Sequence, residues 1–189
     1  MKSLNRGFTL LELIGVMAVI AVLGAMATPR IFEAIEDSRV SALVAQANDL
    51  RSNVARFYKD TGTWPRHIPN HAQDRYHQLM VNIGNNNQSI PGWKGPYLEQ
   101  ELEHPFTSTA YQDVMVTAST DYACDLDGNG TQDGKFMVYR VDQIDDSVAE
   151  KISDIFDKDA GTDSWKTAGR VKRFRGNHAS VLVICLARV

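Results

Sequence analysis

Apolar residues near the N-terminus form one long, nearly uninterrupted run. From Phe8 to Thr28 the only ionisable side chain is Glu12. A helix of about 21 residues, rising about 1.5 Å per residue, spans about 31 Å, which is close to the hydrocarbon thickness of a bilayer. The run therefore predicts a membrane-spanning helix, and Lys2 and Arg6 before it indicate a cytoplasmic N-terminus.

The spacing of apolar residues changes after Pro29, which is expected to end or kink the first helix because proline lacks an amide hydrogen. Apolar residues then recur mostly three and four positions apart, which predicts an amphipathic helix that packs on a sheet. They are Ile31, Ile35, Val40, Leu43, Ala47, Leu50, Val54 and Phe57. Gly62 and Pro65 are expected to terminate this helix.

Strand patterns dominate the last part of the chain. Alternating apolar residues predict strands at 111–118, 135–141, 169–174 and 179–187. A helix is expected at 146–157, capped by Asp145 or Asp146. Its buried face would hold Val148, Ile152, Ile155 and Phe156. The prolines and glycines between 63 and 109 predict a turn-rich connection with one short helix at about 73–83. The fold class is therefore α+β, with an antiparallel sheet on a long N-terminal helix.

Composition narrows the function classes. The 189 residues, 43% hydrophobic and 23% charged, suffice for one globular domain with an appended segment. The net charge of -3 offers no large basic field, so nucleic acid is not favoured as a partner. Cys124 and Cys185 lack CxxC spacing, which leaves a disulfide and two free thiols both open. No nucleophile elbow or phosphate loop stands out, so an enzyme is not expected.

The apolar run has three interpretations. It could be a secretory signal cut after Ala27, because Ala25-Met26-Ala27 fits the A-x-A cleavage pattern before Thr28. It could also be an uncut signal anchor. Neither explains Glu12, since a carboxylate in an apolar segment costs about 2.5 to 3.5 kcal/mol on insertion scales and needs a partner or a role. Alternatively, Glu12 snorkels to the lipid headgroups.

The third interpretation comes from the residues MKSLNRG followed by FTLLELI. They resemble the leader and start of type IV pilins and of type II secretion pseudopilins, a family in which Pro29 also has a common counterpart. The resemblance implies that a prepilin peptidase cuts between Gly7 and Phe8 and methylates Phe8, and that the apolar helix remains. Glu12 would then neutralise the N-terminal ammonium of a neighbouring subunit, because buried opposite charges are tolerable as a pair and expensive singly.

This resemblance implies a filament subunit, either of a type IV pilus or of a type II secretion pseudopilus. Its implied partners are other pilin-like subunits, the prepilin peptidase and the inner-membrane assembly platform. The part of the chain after the apolar helix, called the head below, would be periplasmic before assembly. The filament would be periplasmic or extracellular afterwards. The alternative is a periplasmic calcium-binding or adhesive domain released after Ala27.

Further segments refine the resemblance. FYKDTGTWP and GWKGPYLEQEL resemble major pseudopilins, although His104-Pro105-Phe106 stands where that subfamily has a different motif. A disulfide between Cys124 and Cys185, enclosing the C-terminal part of the sheet, would resemble the late disulfide of type IV pilins. The expected organisation is a leader at 1–7, a transmembrane and polymerisation helix at 8–28, an amphipathic helix at 29–62, a connection at 63–109 and the sheet with an acidic loop at 110–189.

The acidic loop DLDGNGTQD carries the sharpest chemical pattern. Its oxygen-bearing residues follow the ligand order of an EF-hand calcium loop, in which Gly130 supplies the sharp turn. They are Asp125, Asp127, Asn129, the carbonyl of Thr131, and Asp133. The twelfth position is Phe136, so the usual bidentate glutamate is missing. A polar hairpin turn is the alternative, but major pseudopilins bind calcium in their heads, and the resemblance therefore favours a Ca²⁺ site.

A short basic run follows in the third expected strand. It consists of Arg170, Lys172, Arg173 and Arg175. Because these residues alternate with Val171 and Phe174, the run predicts a half-buried strand whose solvated face balances the acidic loop, rather than a DNA-binding surface.

Overall fold

The computed structural model describes residues 8–66, 77–84, 88–107, 112–116, 124–127, 129, 131, 133–157, 169–175 and 180–189. Within these ranges the helices are α1 (Leu10–Thr61), α2 (His77–Met80) and α3 (Asp146–Phe156). The strands are β1 (Gln112–Val116), β2 (Phe136–Asp142), β3 (Val171–Arg175) and β4 (Ser180–Arg188). The chain divides into two compact units, Met1–Ser38 and Arg39–Val189.

The first unit contains the apolar part of α1. Its large apolar side chains from Phe8 to Ile35 are all exposed. An 18-residue window has a mean hydropathy of 2.4, and none of it is buried. Among the described residues, α1 is the helix long and apolar enough to cross a membrane. This segment has no core of its own to cover it, as expected of a surface that faces lipid or other subunits.

α1 continues through Pro29. Of the two effects predicted for Pro29, ending the apolar helix is therefore wrong, and a kink stays a prediction. A proline inside a helix removes one backbone hydrogen bond and costs about 3 kcal/mol. Long helical segments on both sides keep their own hydrogen bonds, and such a proline is tolerated in membrane-spanning helices.

The second unit is built on a four-stranded antiparallel sheet with the strand order β1-β2-β4-β3. In the register of the sheet, Tyr139 of β2 lies between Val114 of β1 and Ile184 of β4. The register of β2 against β4 shifts between Met137 and Val138. Each of the four predicted strands is confirmed, and positions 111, 117, 118 and 179 of the predicted ranges lie outside the described residues.

One face of the sheet packs against the part of α1 that belongs to this unit. The buried residues of that helical stripe are Val40, Leu43, Ala47, Leu50, Val54 and Phe57. They share a core with Tyr139, Leu182 and Ile184 of the sheet. The predicted stripe began too early, because Ile31 and Ile35 lie in the first unit and are 56% and 43% exposed.

Hydrogen bonds connect this core to the helix and the connection. The Tyr139 hydroxyl lies 2.8 Å from Oε1 of Gln112 and 3.2 Å from Oε1 of Gln46 on α1. The Gln46 side chain in turn donates to the carbonyl of Glu103 at 2.9 Å. The head is thus held by buried apolar surface and by polar links around one buried tyrosine.

The ends of the helices agree largely with expectation. Gly62 adopts a φ of 70° and donates to the Tyr58 carbonyl at 2.8 Å, as a C-terminal cap requires. Asp145 is the N-cap of α3, but its side chain makes no capping hydrogen bond. Ile155 is 44% exposed, so its predicted burial is wrong. α3 instead buries Val148, Ala149, Ile152 and Ser153. Of the short helix expected at 73–83, the structure describes α2, and 73–76 lie outside the described residues.

The opposite face of the sheet forms a second, smaller core. It consists of Cys124, Phe136, Val138, Val181, Val183 and Cys185. A disulfide joins Cys124 to Cys185 with 6.5 Å between their Cα atoms. The expected disulfide is therefore present, and it fixes the start of the acidic loop to β4.

Candidate functional site

Thr9 and Glu12 form a reciprocal cap at the start of α1. The amide and the hydroxyl of Thr9 donate to Oε2 of Glu12 at 2.9 and 2.8 Å. The amide of Glu12 donates to the Thr9 hydroxyl at 3.3 Å. Because α1 begins at Leu10, Thr9 is the N-cap and Glu12 the third helical residue, which is the geometry of a capping box.

This role of Glu12 was not predicted from the sequence. The signal was present, because T-x-x-E directly before an apolar run is the pattern of a capping box. The cap gives the carboxylate hydrogen-bond donors within its own chain, but it supplies no positive charge. Pairing of Glu12 with the Phe8 ammonium of a neighbouring subunit therefore stays a prediction. Phe8 is exposed, and Gly7 lies outside the described residues.

The acidic loop is anchored at its base. The Asp133 amide donates to the carbonyl of Cys124 at 3.0 Å, which closes the loop. The Gly169 amide donates to the carbonyl of Asp125 at 2.6 Å and joins the loop to the segment that leads into β3. Together with the disulfide, these bonds place the loop beside the edge of the sheet that β3 forms.

Three of the predicted ligand residues are brought together within this loop. One carboxylate oxygen from each of Asp125, Asp127 and Asp133 lies within 4.8 Å of the other two. Asp125 is 2% exposed, whereas Asp127 is on the surface. Oxygen atoms at this spacing suit a hard divalent cation, and the electrostatic repulsion among them favours binding one.

The other two predicted ligand residues shape the turn. Asp127 accepts hydrogen bonds from the amide and the side chain of Asn129, at 3.2 and 2.8 Å. Oδ1 of Asn129 accepts from the amide of Thr131 at 2.7 Å and from its hydroxyl. Gly130 lies outside the described residues. Phe136 is buried in the second core, so the twelfth loop position has no side-chain ligand for a cation. The ligand set is therefore smaller than that of an EF-hand.

Lys172 of β3 lies next to this loop. The residue is buried, at 8% exposed, and its ammonium interacts electrostatically with the carboxylates of Asp125 and Asp133. Burial lowers the pKa of Lys172, and the two carboxylates oppose that shift. The sequence pattern could not reveal this placement, because alternation with Val171 indicates only that the two residues occupy opposite faces of the strand.

The described part of the basic run is not the solvated face that the sequence predicted. Arg170 donates to the carbonyl of Cys185 at 3.1 Å, and its guanidinium carbon lies 5.6 Å from the ring centroid of Phe156. Arg173 pairs with Asp146 on α3. Together with the burial of Lys172, these contacts assign the run to the interior and edges of the head.

His104 anchors the connection to the end of β2. Its Nδ1 accepts hydrogen bonds from the amides of Phe106 and Thr107, both at 3.1 Å. Its Nε2 lies 2.8 Å from the carbonyl of Asp142. A nitrogen that accepts from two amides carries no proton, so the ring is neutral and Nε2 is the donor. Burial lowers the pKa of His104, in agreement with this state.

Comparison with known proteins gives these features a context. A family model described as the prokaryotic N-terminal methylation motif matches residues 2–28. Curated type IV pilins match about a third of the chain. The chain carries this methylation motif and is similar to type IV pilins. The motif covers the capped start of α1 and the exposed apolar segment that follows it.

The relatives share only part of their length with this chain. The type IV major pilin protein PilE1 of Neisseria gonorrhoeae is 35% identical over 69 residues, covering 36% of this chain and 32% of the relative. The fimbrial protein EcpC of Eikenella corrodens is 35% identical over 65 residues, covering 34% and 42%. The type IV major fimbrial protein FimA of Dichelobacter nodosus is 41% identical over 54 residues, covering 29% and 35%.

The match thus spans about a third to two fifths of the length of these curated relatives. No solved structure gives a significant match. The relatives carry the names of pilins and fimbrial proteins, and the narrower expectation of a major pseudopilin stays a prediction.

Proposed function

We propose that this chain is a structural, non-enzymatic subunit of a type IV pilus. The observation that carries the proposal is the start of α1, where the methylation motif continues into an apolar helix whose large side chains are all exposed. A soluble domain would bury such a surface. A subunit that passes from a membrane into a filament core needs it in both places.

Assembly would begin with processing between Gly7 and Phe8 by a prepilin peptidase and methylation of Phe8. The subunit would then be anchored in the inner membrane with its head in the periplasm, until the assembly platform adds it to the filament. Helices in such a filament pack by close approach, and small residues permit it. Gly15 and Gly24 suit this role, because among the described residues no atom other than those of their chain neighbours and of the adjacent helix backbone lies within 4 Å of where their Cβ atoms would be.

Glu12 would contribute its charge to this assembly. The N-terminal ammonium of a neighbouring subunit is the partner of opposite sign that the processing step creates. A paired carboxylate and ammonium in an apolar filament core cost far less free energy than either one alone, so the pair would set the register between subunits.

We further propose that the acidic loop binds Ca²⁺. Support comes from the convergence of the carboxylates of Asp125, Asp127 and Asp133. Asn129 and Thr131 hold the turn through their mutual hydrogen bonds, and the Thr131 carbonyl would add a ligand. Calcium prefers six to eight oxygen ligands. Water would have to complete the shell, so binding should be weaker than that of a complete EF-hand.

Filament recovery tests the proposed function. Filaments sheared from producing cells should contain this chain as an abundant component, and a deletion strain should lose them. If the chain stays in the periplasm and its deletion blocks protein export instead, the protein is a subunit of a secretion pseudopilus and not of a pilus. Isothermal titration of the full chain in detergent tests the loop separately, and the absence of heat at millimolar Ca²⁺ would refute the calcium site.

A further inference from the structure

We propose that Lys172 is a built-in competitor for the cation of the acidic loop, and thereby sets the loop's Ca²⁺ affinity. The inference rests on the calcium site proposed above and adds a residue outside the loop motif. Lys172 stands in β3, about 40 residues beyond Asp133 in the sequence, so no reading of the loop motif alone includes it.

The fold brings Lys172 to the loop through the bonds at the loop's base. Gly169, three residues before Lys172, donates its amide to the Asp125 carbonyl at 2.6 Å. In the sheet, Lys172 stands opposite Val183, whose side chain belongs to the second core with Cys124. Lys172 is therefore on the face of the sheet from which the acidic loop starts.

Burial gives this placement its electrostatic weight. Lys172 as a residue is 8% exposed, so solvent screens its charge less than that of a surface lysine. Its ammonium is attracted by the carboxylates of Asp125 and Asp133. These are two of the three carboxylates that converge in the loop. Without metal, the lysine supplies positive charge to a cluster that would otherwise repel itself.

Binding of a divalent cation would then have to act against this resident charge. Even at the dielectric constant of bulk water, a unit positive charge within about 10 Å of a divalent cation weakens binding several-fold. Removing the charge of Lys172 should therefore raise the Ca²⁺ affinity several-fold. At low calcium concentration the lysine would balance the charge of the carboxylates, and calcium would bind only at high concentrations.

Lys172→Met is the direct test, because methionine keeps a long unbranched apolar stem and removes the ammonium. Lys135→Met is the matched control. It makes the same change in net charge two residues after Asp133, at an exposed side chain. Lys172→Arg retains the positive charge. Ca²⁺ binding to the full-length chains in detergent is measured by isothermal titration calorimetry, after circular dichroism has verified folding.

The expected result is several-fold tighter Ca²⁺ binding by Lys172→Met, no more than about a twofold change for Lys135→Met, and no gain for Lys172→Arg. Binding by Lys172→Met but not by the wild-type chain would support the inference even more strongly. If wild type binds Ca²⁺ and Lys172→Met binds no more tightly, Lys172 is not a competitor, while the calcium site stands. If neither chain binds, both proposals fall. Should Lys172→Met not fold, Lys172→Gln removes the same charge and decides in its place.

Discussion

Oε2 of Glu12 accepts hydrogen bonds from both the amide and the hydroxyl of Thr9. The carboxylate that the family resemblance assigns to contacts between subunits thus also has a task within its own chain. It caps the helix that, in the proposed function, anchors the subunit and enters the filament. The two tasks use different properties of the side chain, since capping needs an oxygen acceptor and pairing with an ammonium needs the charge.

Thr9→Val should loosen the first turn of α1, because valine keeps the shape of threonine but cannot make its hydroxyl hydrogen bonds. We expect several-fold faster hydrogen exchange at the amides of Thr9 and Glu12 in detergent micelles, measured by NMR. Thr28→Val is the matched control. Its hydroxyl donates to the Gly24 carbonyl within the same helix, far from the cap. Equal exchange in both variants would contradict a capping role for Thr9.

Glu12→Gln separates the cap from the charge. Glutamine keeps a side-chain oxygen that can accept from Thr9 but carries no charge, whereas Glu12→Ala loses both. If charge pairing between subunits drives assembly, both variants should lose sheared filaments, and only Glu12→Ala should also loosen the first turn. Normal filament yield from Glu12→Gln would show that the cap, and not the charge, is what assembly requires.

The disulfide should be a large contributor to the stability of the head. Cys124 and Cys185 are 61 residues apart, and closing a loop of this length stabilises a fold by about 4 kcal/mol in the chain-entropy model. The double variant Cys124→Ala, Cys185→Ala should lower the free energy of urea unfolding by about that amount. A loss below about 1 kcal/mol would mean that the unfolded chain is already constrained in this region.

His104 should make the stability of the head fall in mild acid. Its folded-state pKa lies below the ordinary value of 6.5 because of burial, so the unfolded chain binds a proton more readily than the folded chain. Stability from this site is therefore complete above about pH 6.5 and is lost as the pH falls through the folded-state pKa. Protonation of Nδ1 would also direct a hydrogen at two amide donors.

His104→Asn is the matched variant, because its oxygen can accept from the same amides without titrating. Thermal unfolding from pH 7.5 to 4.5 should show a steeper loss of stability in the wild-type chain than in His104→Asn. Identical pH profiles would contradict the contribution of His104.

Much of the head could be read from local patterns. Period-two alternation located all four strands, and spacings of three and four found the buried helical stripe from Val40 to Phe57. The start of that stripe could not be predicted, because Ile31 and Ile35 have the same spacing as core residues. Periodicity identifies an apolar face but does not tell whether the cover is the chain's own sheet, a lipid or another subunit.

The contacts that depend on tertiary structure were beyond the sequence. Lys172 approaches Asp125 only because a backbone bond at Gly169 joins the loop to β3. His104 acquires its role from the carbonyl of Asp142, 38 residues further along the chain. The Thr9 and Glu12 cap, in contrast, is local, and the T-x-x-E pattern would have sufficed to predict it, although that prediction was missed.

The central claim is that the apolar helix persists in the mature protein and begins at Phe8. Intact mass and N-terminal sequencing of the protein from its native membranes test it most directly. We expect a chain that starts with N-methylated Phe8. A mature chain that starts at Thr28 would contradict it, because the helix, its cap and Glu12 would then be discarded before assembly.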